Sequence, residues 1–499
     1  MGATQNKMAD GEEEDKETVM ATPAAPASPP GPLGSFRSIA MFAYQPGGPY
    51  PSHCGYCHSA DERFCVEGLF SDKMSVHDFQ YLVDRGFQRS GKFVYLPANK
   101  LTCCPQYVLR LDCSTFHISK EQRRAIRKMN EYLLNGRKEE EEGERSDTKG
   151  TEINDQNEEM EGLPSEGATV STPLKPKKVV KPGAGADPNL PRCKKAKERR
   201  REAKEKKQAK KNPPQPLKPA PPTAKPNPTH VEDLLTLPDA EKCKHKLRKS
   251  LLCVNPVNDE FLDTYQQSYE VFRKFQMIIH KEPPEKCEQQ HFDQFCIDSP
   301  LVQEEGPPGS DIKYGSYHQQ YWIDDNLVMV GVVDILPSGV LCNYLYYDPY
   351  YRFIFPGVYS ALCEISMNQT LYQRVPDLRY YYIGYYVHDC PKMNYKRKYD
   401  SCYLLCPITH RYVPLEICRK KLDSAKYCRF SDEGAEVERG GEGELGEVLI
   451  ASDFGEFGYI KYSLIRDRME GKLDDLVRSY VGIVGKDLAQ TMILKIVGL

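Results

Sequence analysis

The chain has 499 residues and carries 68 Lys and Arg against 71 Asp and Glu, a net charge of −3 that averages over blocks of opposite sign. That length accommodates two or three domains with proper cores. No stretch approaches a membrane-spanning apolar run, and the acidic, then Pro/Ala-rich N-terminus has no signal-peptide core, so membrane and secreted classes are set aside. The 18 cysteines are accordingly read as free thiols of an intracellular protein with a metal site among them, not as a disulfide framework.

Residues 1–35 are poor in bulky apolar groups and are expected to be disordered. From 36 to 135 a small cysteine-rich α/β domain is expected. It holds Cys54-Gly-Tyr-Cys57, a helix from Ser75 ended by Gly86, a strand Lys92–Leu96, the pair Cys103-Cys104, a strand Tyr107–Leu111, and a helix from Ser119 with a Ser119/Gln122 capping box. Residues 136–230 read as a disordered linker, acidic at Glu139–Glu142, basic from Leu174 to Lys211 with 16 Lys/Arg against 4 Asp/Glu, then Pro-rich. Within it Lys194–Lys211 fits a nuclear-import signal, a polyanion contact or a solvated charged helix, and the protein is expected in both cytoplasm and nucleus.

The second folded region spans 231–499. Asn258 caps a helix with Phe261, Tyr265, Tyr269 and Phe272 on one stripe. A three-strand meander follows (315–323, 327–335, 340–347), turning at Asp324-Asp325-Asn326 and Pro337-Ser338-Gly339. Pro356 starts a helix with Val358, Ala361, Leu362 and Ile365 inward. Next comes the aromatic strand Tyr380–Val387, with Gly384 marking a bulge or close backbone approach, and then a polar, basic turn. An acidic, Gly-rich loop (431–448) precedes a last helical segment at 465–480. Helix, meander, helix, strand is the core order of the acetyltransferase-like (GNAT) architecture, so the fold class is α+β.

Four cysteines carry the clearest chemistry. A C-x-x-C turn lets Cys54 and Cys57 converge on one ion, and Cys103 with Cys104 can complete a four-sulfur site for zinc or an iron–sulfur cluster. No G-x-S-x-G, H-E-x-x-H or P-loop occurs, and the R/Q-x-x-G-x-G/A loop that grips coenzyme A is missing between Leu327 and Tyr359. An acyl donor other than an acyl-coenzyme A is therefore expected.

Several motifs agree in order: Cys103-Cys-Pro-Gln-Tyr107, Tyr317-His-Gln-Gln-Tyr321, Gly331 through Pro337, Tyr346-Tyr-Asp-Pro349, Tyr382-Ile-Gly-Tyr-Tyr386 and Cys390-Pro-Lys-Met-Asn-Tyr-Lys396. Together they resemble the eukaryotic arginyl-tRNA–protein transferases. The resemblance implies transfer of arginine from arginyl-tRNA to the N-terminal α-amine of proteins beginning with Asp, Glu or oxidised Cys, marking them for degradation by the N-degron ubiquitin–proteasome route. It also implies an iron–sulfur cluster or zinc on Cys54, Cys57, Cys103 and Cys104, and no coenzyme A. A monomer is expected. Asp334 and Asp348 are candidates to receive the guanidinium or the incoming amine, with Gln320, Tyr344 and Tyr346 to orient the ester. His388 is the candidate proton acceptor. Lys392, Asn394 and Lys396 are candidates for contacts to the tRNA end or the acceptor, and the cations of Glu121–Lys128 and of Lys242–Lys249 for phosphates. The rivals are a coenzyme-A-dependent N-acetyltransferase and a non-catalytic, metal-containing RNA-binding protein.

Overall fold

The structure, a computed structural model, describes residues 36–42, 49, 51–57, 64–137, 228–237, 240–433, 442–452 and 458–496. The expected disordered N-terminus, nearly all of the expected linker, and residues 434–441 of the acidic loop lie outside them. Among the described residues no helix is long and apolar enough to cross a membrane.

The N-terminal stretch supplies β1 (Ile39–Phe42), β2 (Val66–Lys73), α1 (Val76–Val83), β3 (Gln88–Ser90), β4 (Phe93–Pro97), β5 (Tyr107–Asp112) and α2 (Lys120–Asn135). Ser75 and Ser119 cap α1 and α2 as their sequences suggest, with both reciprocal bonds of the capping box present at Ser119 and Gln122. Next come β6 (Leu247–Cys253), α3 (Asp259–Ile278), β7 (Glu304–Glu305) and the meander β8 (Lys313–Ile323), β9 (Asn326–Leu336) and β10 (Gly339–Tyr347). Asp324 and Asp325, at φ 48° and 67°, make the two-residue turn between β8 and β9, a left-handed geometry that Asp tolerates better than most residues.

Then follow α4 (Pro356–Arg374), β11 (Tyr380–Tyr386), β12 (Cys402–Leu405), β13 (Tyr412–Pro414), α5 (Leu415–Leu422), β14 (Leu449–Ala451), β15 (Tyr459–Lys461), α6 (Asp474–Val484) and β16 (Ile493–Ile496). The last long helix begins at Asp474 and not at 465, because Gly471 takes a positive φ and the chain before it stays in turns.

Two sheets result. The larger runs β13-β12-β5-β11-β10-β9-β8-β6, with β7 added beside β8, and the smaller runs β15-β14-β16-β1-β2-β4-β3. The stretches read from sequence as 36–135 and 231–499 interleave in both: β5 lies between β11 and β12, and β16 between β1 and β14. One continuous cluster of buried side chains, from Ala40 to Leu494, holds both sheets.

The feature that positions the site is the parallel pair β10–β11. They are hydrogen-bonded only where Gly339–Leu341 face Tyr380–Tyr382. Past that point β10 follows β9 and β11 follows β5, whose register shifts between Tyr382 and Tyr385, around Gly384. The two strands part there into a fork.

Candidate functional site

The fork is lined by groups that would not be buried for packing alone. Lys396, in the 3-10 turn Pro391–Lys398, is 5% exposed and points its ammonium back at β11, where Nζ donates to the Tyr385 carbonyl at 2.5 Å. No carboxylate is bonded to it among the described residues. Burial lowers its pKa to about 8, opposed by the Cys342 and Cys390 thiols. Gly384 takes a φ of 75°, a conformation L side chains rarely adopt, and lies beside this ammonium, where a Cβ would make only ordinary contacts at 3.7 Å from Nζ and 3.9 Å from the Cys342 carbonyl oxygen. Glu364 of α4 is fully buried. Its Oε2 accepts from the Tyr381 hydroxyl at 2.6 Å, while Oε1 has no hydrogen-bond partner. Burial pushes its carboxyl up to about 7, against donors from Tyr381 and Cys342. The Tyr399 hydroxyl beside this cluster is likewise buried and unbonded.

The cysteines adjoin the end of the fork. The sulfurs of Cys54, Cys57, Cys103 and Cys104 all lie within 4.8 Å of one another, with Cys57 and Cys103 at 3.6 Å. Four thiolates around one zinc stand about 3.8 Å apart at a Zn–S distance near 2.3 Å, so the set fits a tetrahedral metal. Burial raises the Cys54 thiol, but the Cys57 and Tyr56 amides and the neighbouring thiols outweigh it and lower its pKa, while burial and the neighbouring thiols push Cys103 and Cys104 up. A cleft of about 120 Å³ is lined jointly by Tyr56, Cys57, Cys103, Cys104, the Val387–Cys390 segment and Lys426. Tyr56, between the first two cysteines, has its hydroxyl ionisation pushed up by burial and then by Tyr95 and Cys390. The metal loop and the segment after β11 thus form one wall.

The sequence-predicted residues separate. His388 lines the cleft, with Nδ1 against the Tyr386 hydroxyl at 3.1 Å and Nε2 against Asp423 at 2.9 Å. Asp334 does receive a guanidinium, but from within the chain. Arg89 of β3 donates to both its oxygens at 2.6 and 2.7 Å, Ser316 and Asn343 add bonds, and the carboxylate is fully buried. Asp348 follows β10 at its carboxyl end, 20% exposed, capping the 349–354 turn and paired with Lys274 at 3.0 Å. Six residues of β9 separate the levels of Asp334 and Asp348, about 20 Å, so these two carboxylates do not meet in one cavity.

Gln320 is fully buried between Thr264 and Trp322, Tyr346 bonds Ser268, and Tyr344 is shared by Gln276 and His280. These three therefore fix α3 to the sheet and do not face the fork. Lys392 and Asn394 lie in the same turn as Lys396, and their side chains are outside those described.

Sequence reasoning passed over Tyr56, Cys342, Glu364 and Arg89. Only Glu364 carried a visible signal, a carboxylate on the apolar α4 face of Ala361, Leu362 and Ile365.

Comparison with known proteins points one way. Residues 52–124 match the family described as "Arginine-tRNA-protein transferase, N terminus", and residues 267–406 match "Arginine-tRNA-protein transferase, C terminus". The chain is 33% identical over 497 residues to "Arginyl-tRNA--protein transferase 1" of Drosophila melanogaster, covering 91% of this chain and 99% of that protein. It is 27% identical over 488 residues to "Arginyl-tRNA--protein transferase 2" of Arabidopsis thaliana, covering 81% of this chain and 80% of that protein. A shorter match, 35% over 83 residues, is to an "Aspartate/glutamate leucyltransferase" of Campylobacter jejuni, covering 17% of this chain and 33% of that protein.

Proposed function

The chain belongs to the arginyl-tRNA–protein transferase family and is an aminoacyltransferase, and from that premise we propose that its acceptors are proteins beginning with Asp, Glu or oxidised Cys and that the product is marked for N-degron-dependent degradation. The acceptor class is supported by the name of the Campylobacter relative, which specifies aspartate and glutamate. An acetyltransferase-like arrangement is supported by the element order and by the parting of β10 and β11.

Aminoacyl-tRNA is an activated ester. The acceptor nitrogen attacks its carbonyl carbon, a C–N bond forms, the C–O bond to the ribose breaks, and one proton passes from nitrogen to the ribose oxygen. An α-amine with pKa near 8 is about a tenth neutral at pH 7, so alignment supplies most of the acceleration and no nucleophilic triad is needed. The observation that carries this reading is the buried Lys396 ammonium at the fork, bonded to a main-chain carbonyl and not to a carboxylate. A cation buried without a counter-ion is costly and is retained where chemistry uses it. Lys396 Nζ is the group this chain offers for giving a proton to the departing ribose oxygen and, once neutral, taking the one lost by the attacking nitrogen, with His388 lining the neighbouring cleft and Asp348, partly exposed, for the arginine guanidinium. Cys54, Cys57, Cys103 and Cys104 would hold zinc or an iron–sulfur cluster, which when bound fixes the loop bearing Tyr56 against the fork. Elemental analysis with visible absorption of anaerobically purified protein distinguishes the two.

The test is a mass measurement. Protein, arginine-charged tRNA and two peptides are mixed, one with a free N-terminal Asp and one with that amine acetylated. Gain of one arginine on the first alone is expected. No gain under reduced, metal-replete conditions defeats the proposal, and gain of an acetyl group from acetyl-coenzyme A would favour an acetyltransferase.

A further inference from the structure

Lys120, Arg123, Arg124 and Arg127 fall at i, i+3, i+4 and i+7 of α2, so they share one face about 10 Å long. All four are exposed, while Ala125, Ile126, Met129 and Leu133 bury the opposite face. The two carboxylates of α2 itself are taken. Glu121 binds Lys398 at 2.8 Å and Glu131 lies by Lys128 at 3.6 Å, and no acidic partner reaches the four among the described residues. Elsewhere on the surface cations such as Lys92, Lys313 and Lys461 are paired with carboxylates. A groove of about 380 Å³ runs beside this face, walled by Lys120, Arg123, Arg127 and Asn130 over an apolar floor of Ile126 and Leu234.

The Lys398–Glu121 bridge gives the face a direction. It ties the start of α2 to the turn Pro391–Lys398, whose Arg397 and Lys398 are exposed and whose Lys396 turns inward to the fork. An uncompensated cationic stripe thus leads to the residue beside which the ester would react. A phosphate chain is the polyanion that matches closely spaced cations with no carboxylate among them, through counter-ion release and guanidinium–phosphate bonds.

We infer that the Lys120–Arg127 face of α2, continued by Arg397, is the surface on which the phosphate backbone of the arginyl-tRNA lies as its acceptor end enters the fork. This rests on the transfer reaction proposed above, adding where the RNA is held.

The experiment measures tRNA binding by fluorescence anisotropy from 50 to 200 mM salt, using the full chain and R123Q/R124Q/R127Q. Each lost phosphate contact lowers the slope of log K against log salt by about 0.7–0.9, so the triple variant is expected to lose roughly 2–3 from that slope and to bind tenfold or more weakly at physiological salt. K286Q/K472Q, removing two cations that pair locally with Glu282 and Glu470, is expected to keep the wild-type slope. Should the triple variant melt early, R124Q alone is read, with a slope loss of about 0.7–0.9 expected. An unchanged slope in a folded variant, or an equal loss in K286Q/K472Q, overturns the inference. Either result leaves the transfer reaction standing, because that is judged separately on wild-type protein and peptide.

Discussion

Two pairs of buried charges in this chain are handled in opposite ways. Arg89 and Asp334 neutralise each other through two short bonds, which is how an interior ion pair is tolerated. Lys396 and Glu364 are as deeply buried, yet neither has an ionic partner among the described residues. The consequence for Glu364 follows from linkage. Its folded pKa, about 7, lies above the ordinary 4.5, so the stability it contributes is full below about pH 4.5 and is lost as pH rises through 7. Glu364→Gln keeps an acceptor for the Tyr381 hydroxyl but has no proton to lose. The variant is therefore expected to gain on wild type by roughly 2 kcal/mol between pH 5 and pH 7.5, read from urea midpoints at the two pH values. Parallel curves would show that Glu364 does not ionise in that window. At this scale the sequence was legible where a signal is local. The four cysteines of two short motifs do converge, because a C-x-x-C turn fixes its own geometry. Asp334 was misread because its partner, Arg89, stands 245 positions away and nothing in either neighbourhood announces the pairing.

Among the elements, the fork depends on how tightly its closed end is drawn together. Gly339 begins β10 at φ 151°, and a Cβ on it would overlap the Tyr380 carbonyl, the point where β11 joins. Gly384 also has positive φ, but a Cβ there meets only ordinary contacts. Gly339→Ala must therefore either separate the strands or distort both, at a cost of roughly 3 kcal/mol or more, whereas Gly384→Ala bears backbone strain alone, roughly 1 kcal/mol. Denaturant unfolding of the two variants should show that order, and equal losses would mean that the strands tolerate separation. The strands and their sequence were readable from β-branched and aromatic runs and from turn residues, and Gly384 was recognisable as an irregularity. That β10 and β11 pair for three residues and then part was not, since it arises from β11 following β5 instead of β10. Two tyrosines and a glutamine expected to face substrate, Tyr344, Tyr346 and Gln320, instead hold α3, because strand alternation assigns a face without saying what covers it.

On the scale of the whole molecule, the two stretches that read as separate domains are joined by strands exchanged in both directions. Local patterning shows where a segment can fold but not which distant strand it will lie beside, so a boundary near 135 was the natural reading. Strand β16 tests the interleaving directly. Ile493–Ile496 pairs in parallel with β1 on one side and β14 on the other, so it is an interior strand of the smaller sheet although it comes from the far end of the chain. Met492 and Leu494, fully buried, anchor it, and the Arg37 guanidinium donates to the Thr491 carbonyl at 2.9 Å. Stopping the chain after Gly485 would expose two strand edges at once, β1 and β14, and take the buried side chains of Leu488, Ala489, Met492 and Leu494 out of the core. The truncated protein is expected to lose its cooperative thermal transition or to aggregate, and to lose ordered cysteine geometry with it, because β1 leads directly into the segment bearing Cys54 and Cys57. Wild-type melting and metal content in the truncated chain would instead mean that the smaller sheet is dispensable and that the larger sheet with its fork stands alone.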